Sequence, residues 1–248
     1  MAVVSTRLPG VPTARPRSTR DRPRSTRDRP AKPPLSEELI VDTALSLLRA
    51  EGLDAVTMRR VATELDTGPA SLYVYIAGRD ELRVAMLDRL AETVTLEAPD
   101  PTRWREQVHA LLRGVLDVME AHPGIATVAV ANPPTSERTL LFADNLMGVL
   151  LAGGASVQDA AWGCDILPLI TTATAIETAT YESRGDREEQ ESEVVARLGA
   201  VFGALSPERF PYLSAHHEQM ISGGGDERFR YAIDVFLDGL EARAARPD

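Results

Sequence analysis

The run of residues 57–82, TMRRVATELDTGPASLYVYIAGRDEL, constrains the fold of this chain more than any other segment. Thr57 is a good N-cap because its hydroxyl can accept a hydrogen bond from a free amide of the first turn. Asp66 stands where that helix must end, and aspartate tolerates a left-handed backbone. The pattern predicts a short helix followed by a turn of about three residues. Its single apolar stripe, at helical spacing, is formed by Met58, Val61, Ala62 and Leu65.

A second short helix is predicted after the turn. Gly68 can act as its N-cap, and Pro69 suits the first helical position, where a missing amide hydrogen costs nothing. Leu72 and Ile76 are four residues apart and can face the first helix, which leaves the small leading residues outside. A major groove admits a helix whose leading side chains are short or directed at base edges. The segment is therefore predicted to be a helix-turn-helix that reads duplex DNA.

The segment from about Leu35 to Leu82 resembles the DNA-binding domain of the TetR family of transcriptional regulators. The resemblance rests on an amphipathic first helix that ends at Glu51-Gly52, on TMRRVA at 57–62, and on SLYVYI followed by AGRDEL. The remainder resembles, more weakly, the ligand-binding half of the tetracycline-repressor branch. Those weaker matches are WRE near Trp104, AHPG at 121–124 and FLDGLEA at 236–242.

Helical periodicity, proline and glycine punctuation, and the lack of an alternating strand pattern predict an all-α protein. Three parts are expected: a basic arm (1–34), a three-helix DNA-binding domain (35–82), and a helical bundle for ligand binding and dimerisation (83–248). Thr102 is expected to cap a helix, and His216 and His217 are expected in a surface loop. A fourth helix is predicted at 79–96, and another after Thr102. Further helices are predicted at about 122–131, 136–151, 156–181, 188–204 and 227–243.

The family motif, matched onto this chain, implies seven DNA-contacting residues. Arg59 can donate two hydrogen bonds to a guanine edge, Ser71 suits a base or a phosphate, and the larger polar residues suit phosphates. Two alternatives stay open: Tyr73 packs against the first helix instead, and Arg60 belongs to a solvated face. The implied contacts are Arg59, Pro69, Ala70, Ser71, Tyr73, Tyr75 and Arg79.

The charge of the chain is unevenly distributed. Residues 1–34 carry a net charge of +7 and contain RPRSTRD twice in tandem, at 15–21 and 22–28, whereas residues 35–82 hold four Arg against nine acidic residues. An arm with almost nothing apolar to bury is predicted to be disordered. It either lies along phosphates or in a minor groove, adding salt-sensitive affinity, or has no role.

Two residues depart from the family pattern. Asp66 stands where glycine is common, and Val74 stands where a Trp or another large residue is frequent. Neither change conflicts with the fold, because aspartate tolerates a left-handed backbone. The operator is harder to infer with Val74 in this place.

The resemblance also implies an internal cavity for a small organic effector. In the tetracycline repressor a His and a Glu help to bind a magnesium chelate; here the His position falls at Ala129, a second pocket His at about Thr95, and the Glu at or next to Glu177. With the imidazoles missing, a metal-free effector and no cofactor are expected. Core packing is the alternative for Phe142 and Trp162, and a solvated or interface position for the two acids. The pocket candidates are Phe142, Asn145, Trp162, Asp165, Thr174 and Glu177.

Other classes of protein are disfavoured. Cys164 and four scattered histidines provide neither a nucleophile with a base nor a metal-ligand spacing, so catalysis is not expected. A single cysteine, no hydrophobic signal core and no long apolar stretch favour a cytoplasmic protein that does not enter a membrane. By resemblance the chain forms a homodimer on operator DNA and is released by the effector. A DNA- or partner-binding module without small-molecule sensing is the alternative.

Overall fold

A computed structural model describes residues 33–183, 185 and 187–245 of the chain, and in this part the secondary structure is helical. The predicted arm therefore lies outside the described residues except for its last two. A 3-10 turn, Leu53–Ala55, separates the first two helices. The described α-helices are α1 (Glu37–Glu51), α2 (Met58–Glu64), α3 (Pro69–Leu72), α4 (Arg79–Ala91), α5 (Trp104–Glu120), α6 (Ile125–Ala131), α7 (Glu137–Ala152), α8 (Val157–Glu182), α9 (Arg187–Gly203), α10 (Pro211–Ile221) and α11 (Gly225–Ala244).

The predicted turn chemistry at the front of the chain is confirmed. The Thr57 hydroxyl accepts from the Arg60 amide at 3.1 Å, and Asp66 has a φ of 48°. Gly68 caps α3 with Pro69 at its first position. The second helix of the pair is shorter than predicted, because the helix ends at Leu72 and residues 73–75 form a turn. Leu72 and Ile76 are nevertheless 0% and 1% exposed, so the predicted inward face is present.

α4 joins the front helices to the rest of the chain. Its inward residues Leu82, Met86 and Leu90 are buried, and it packs against α1, α6 and α7. Burial of a large aliphatic side chain stabilises a fold by about 1.5–3 kcal/mol, so these three buried residues hold α4 firmly against α1. The helix ends at Ala91, five residues earlier than predicted, and a turn at 92–93 leads into irregular chain before Pro99.

The rest of the described chain packs around α8, which contacts α5, α6, α7, α9 and α11. Thr102 does not cap α5 as predicted: its amide and hydroxyl both donate to Asp100, at 2.8 and 2.7 Å, and Arg103 precedes the helix. The prediction of a surface loop at His216 and His217 was also wrong. Both lie in α10, where His216 has non-helical angles.

Candidate functional site

The seven residues predicted to contact DNA are all exposed on α2, α3, the turn after α3, and the start of α4. Pro69, Ala70 and Ser71 form the small leading edge of α3, whose other side is sealed by Leu72. Tyr73 is 54% exposed and Tyr75 is 41% exposed. Tyr73 is therefore more than half exposed, and both phenol rings are available to a partner.

Arg59 and Arg60 are neighbours on α2 with different surroundings. Arg60 donates to Glu51 at 2.6 Å and to Glu64 at 2.8 Å, and these hydrogen bonds, that to Glu51 first, raise the pKa of its guanidinium. The side chains of Arg59 and Arg79 are exposed and make no hydrogen bond or ion pair within the described part of the chain. They are consequently free to reach an anionic partner, whereas Arg60 is held by its own acids.

A cavity of about 500 Å³ lies among α4, α5, α6, α7, α8 and the loop between α6 and α7. Its wall is largely apolar, with Val84 and Leu87 from α4, Val115 from α5 and Phe142 from α7 among the contributors. Such a volume and lining are typical of a small-molecule site. Its polar lining residues are Asp88, Asn132, Thr135, Ser136, Thr139, Cys164, Asp165 and Thr172.

Two of the six predicted pocket residues, Phe142 and Asp165, line this cavity; the other four do not. Asn145 donates instead to the Glu97 carbonyl at 2.7 Å, and Thr174 to the Ile170 carbonyl at 3.0 Å. Trp162 is 57% exposed, so it is neither a pocket wall nor a core residue.

The structure also locates the positions that were aligned with family metal ligands. Glu177 is exposed and accepts from Tyr181 at 3.5 Å, away from the cavity, and Thr95 is also absent from its lining. Ala129, aligned with a metal-binding His, does line it. Among the described residues no group of three or more His, Cys, Asp or Glu side chains is arranged to hold a metal ion.

Several cavity residues were missed at the level of sequence. Ser136 caps α7 and also donates to Asp88, which ties α4 to the loop that precedes α7. Cys164 donates to the Ala143 carbonyl at 3.6 Å, and burial raises the pKa of its thiol, so it lines the wall as a neutral group. The sequence did contain a signal that Asp88 belongs to the cavity wall, because helical spacing places it on the same face of α4 as Val84 and Leu87.

The front helices contact the cavity-bearing bundle at two further points. Arg49 of α1 donates through Nε to His122 Nε2 at 2.9 Å, so the His122 Nδ1–H must be the donor to the Val118 carbonyl, at 2.7 Å. Gly124, with φ +94°, approaches Leu53 so closely that a Cβ placed on it would lie 2.9 Å from the Leu53 Cβ. These contacts join the exposed helix pair and the cavity into one packed unit.

Together these features are those of a helix-turn-helix regulator. An exposed helix pair carries small residues at the start of α3 and two arginines that are unpaired within the described chain, and α4 connects this pair to an apolar cavity. Comparisons with known proteins agree. Residues 40–86 match the model of the family described as bacterial regulatory proteins, tetR family, and residues 98–244 match that of the tetracyclin repressor-like C-terminal domain. The chain belongs to the TetR family of transcriptional regulators, whose members bind operator DNA and small-molecule effectors.

Three relatives show how far the similarity extends. The HTH-type transcriptional repressor DrrR1 of Streptomyces coeruleorubidus is 26% identical over 219 residues, covering 87% of this chain and 80% of that protein. The class C tetracycline repressor protein of Escherichia coli is 24% identical over 213 residues, covering 84% and 91%. The structure of ActR from Streptomyces coelicolor in complex with actinorhodin has a TM-score of 0.79 and 36% identity, covering 86% and 99%. The similarity therefore spans both the helix-turn-helix and the bundle.

No helix in the described part of the chain is long and apolar enough to cross a bilayer.

Proposed function

We propose that this protein is a repressor that binds its operator as a homodimer and is released when a small organic molecule occupies the cavity. The observation that carries the proposal is the course of α4. This one helix begins with the exposed Arg79 and continues to Val84, Leu87 and Asp88 in the cavity wall. Asp88 lies nine positions after Arg79 in this helix, an axial distance of about 13.5 Å. A ligand in the cavity thus touches the same rigid element that carries a DNA-facing residue.

Relatives support both halves of the proposal. DrrR1 is a transcriptional repressor, and ActR has been solved in complex with actinorhodin and with (S)-DNPA. The ActR chain is covered at 98–99% in those two complexes, so the similarity includes the part that contains the cavity.

A two-fold dimer through α8 and α11 is the third part of the proposal. Trp162, Ile166 and Leu169 recur at helical spacing along α8 and are 57%, 40% and 51% exposed. On α11, which packs beside α8, Tyr231 and Val235 are 70% and 51% exposed. Exposed apolar side chains at this density mark an interaction site, and a second copy would cover them. Such a dimer would present two DNA-binding domains about one DNA turn, roughly 34 Å, apart.

The proposal keeps the three-part organisation and gives a role to the arm. Residues 35–82 read the operator, and residues 83–248 bind the ligand and the second copy. The arm, with a net charge of +7, adds phosphate contacts to those of the 35–82 segment, whose own net charge is negative. The setting of this activity is the cytoplasm, where the operator is.

Two neighbouring arginines test the DNA-reading half. Arg59→Ala is expected to weaken binding to the cognate operator by about 1–3 kcal/mol per half-site, and binding to a random duplex little, because Arg59 is assigned to a base edge. Arg60→Ala, which removes an arginine already paired with Glu51 and Glu64, is the matched control and should leave operator affinity nearly unchanged. Fluorescence anisotropy on an operator recovered from fragmented genomic DNA provides the measurement. Equal losses on both duplexes would refute base reading by Arg59.

A further inference from the structure

The cavity wall carries charge of one sign only. Of its lining residues in the described chain, the charged ones are Asp88 on α4 and Asp165 on α8, and none is a lysine, arginine or histidine. Asp165 is exposed in the single chain, and its carboxylate has no hydrogen-bond or ion-pair partner among the described residues. A ligand in this cavity therefore meets two carboxylates and no side-chain cation.

The hydrogen-bonding capacity of the wall points the same way. Three of its four hydroxyl donors are committed: Ser136 donates to Asp88, Thr139 to the Ser136 carbonyl and Thr172 to the Pro168 carbonyl. The neutral donors left over are the Thr135 hydroxyl and the second amide hydrogen of Asn132, whose first goes to the Val128 carbonyl. Oxygen lone pairs remain, on the carboxylate oxygens and the hydroxyls, and a carboxylate only accepts. A ligand with a charged donor is consequently matched by the two carboxylates, whereas an anionic ligand would meet only neutral donors there.

Two arginines lie beside this cavity without lining it. Arg83 lines a separate cavity of about 300 Å³, together with Asp80, and that cavity shares Ala131 and Asn132 with the larger one. Arg138 lies 3.5 Å from Glu92. Neither side chain is placed in the wall of the larger cavity, so the two carboxylates define its charge.

We propose that the effector is an amphipathic cation: an apolar ring system that bears an amine, its ammonium group held by a carboxylate of the wall, Asp165 or Asp88. This inference rests on the proposed function, since it names the class of ligand for the same cavity. The apolar wall takes the ring system, and the ammonium donates charge-assisted hydrogen bonds to that carboxylate. A ligand carboxylate of equal size would bring like charges together in a partly desolvated space, so the cavity discriminates against it.

Three anthracene derivatives of nearly equal size test the inference: 9-(aminomethyl)anthracene, 9-anthracenemethanol and 9-anthracenecarboxylate. Their affinities for the full-length protein would be measured at pH 7 by calorimetry. The amine is expected to bind at least ten times more tightly than the alcohol, and the carboxylate more weakly than either.

Charge-removing variants then assign the effect to residues. Asp165→Asn is expected to weaken the amine about tenfold or more, and Asp88→Asn to weaken it less, because Asp88 also accepts from Ser136. The alcohol should bind both variants as it binds the wild type, which shows that the cavity is intact. Asp144→Asn, an exposed residue of α7 outside the lining, is the matched control and should change nothing.

The outcomes separate this inference from the repressor proposal. A carboxylate probe that binds as tightly as the amine, amine affinity retained in both Asn variants, or no binding of any probe would overturn the amine assignment. Operator release by some other class of compound would then leave the repressor proposal standing. Conversely, an amine that binds through Asp165 but never alters operator affinity would contradict the repressor proposal alone.

Discussion

Gly124 is the position where the geometry allows the sharpest prediction about stability. It caps α6 with φ +94°, a left-handed conformation that costs a residue with a Cβ about 1–2 kcal/mol. In addition, a Cβ on Gly124 would lie 2.9 Å from the Leu53 Cβ and 3.5 Å from its Cδ2. The Leu53 Cβ is fixed to the backbone, so backbone must move, and such overpacking costs about 1–3 kcal/mol. Gly124→Ala is therefore expected to destabilise the protein by about 3 kcal/mol.

Thermal unfolding followed by circular dichroism at one protein concentration would measure this loss. For a chain of this size, about 3 kcal/mol corresponds to a fall in Tm of roughly 6–12 °C. Gly114→Ala is the matched control: Gly114 lies inside α5, and a Cβ there would meet only Val94 Cγ1, at an ordinary 3.8 Å. The control should be neutral or stabilising by up to about 1 kcal/mol, because alanine favours a helix over glycine. If the two variants unfold at the same temperature, the account of Gly124 is refuted.

Two further predictions concern the DNA-binding domain (35–82) and the basic arm (1–34). Leu72→Ala should cost about 2–5 kcal/mol of stability, because Leu72 is fully buried, whereas Val74→Ala, at an 80% exposed position, should leave the Tm unchanged in the same unfolding assay. A chain starting at Lys32 should bind operator DNA more weakly than the full chain, with a dependence of log affinity on log salt that is shallower by about 0.9 for each phosphate that the arm neutralises. Unchanged affinity and slope would leave the arm without a role on DNA.

The fold of the helix-turn-helix follows from short-range signals that can be recognised in the sequence. The Thr57 cap, the left-handed Asp66 and the Gly68-Pro69 start each act within a few residues of their own position, and the structure confirms all three. The length of the second helix was not predictable in this way. It ends after Leu72 and a turn follows, although Tyr73 and Val74 continue a pattern compatible with helix.

The cavity lining was harder to predict because it is assembled from five helices and a loop. Helical spacing places Val84, Leu87 and Asp88 on one face of α4, but it does not reveal that this face borders an empty space. The family resemblance implies a cavity and makes Trp162 a candidate for its wall, but Trp162 is exposed on α8. α10 was missed for a related reason: none of its residues is buried, so the apolar stripe that reveals other helices is weak there.

The same side chains that define the cavity set a requirement on how a ligand could release DNA. α4 is held to α1 by the buried side chains of Leu82, Met86 and Leu90 and by an ion pair between Arg89 and Asp42 at 3.1 Å. A shift of α4 therefore also moves the DNA-binding domain. In the wall of the cavity, Asp88 accepts from Ser136, and an ammonium that binds Asp88 competes with that hydrogen bond. To lower operator affinity 100-fold, the ligand must bind the released arrangement about 2.7 kcal/mol more tightly than the DNA-bound one. A charge-assisted hydrogen bond contributes about 1.5–3 kcal/mol, and the Ser136 hydrogen bond lost in the exchange offsets part of it. The coupling must therefore also draw on other contacts of the ligand with α4, such as those of its apolar ring with Val84 and Leu87.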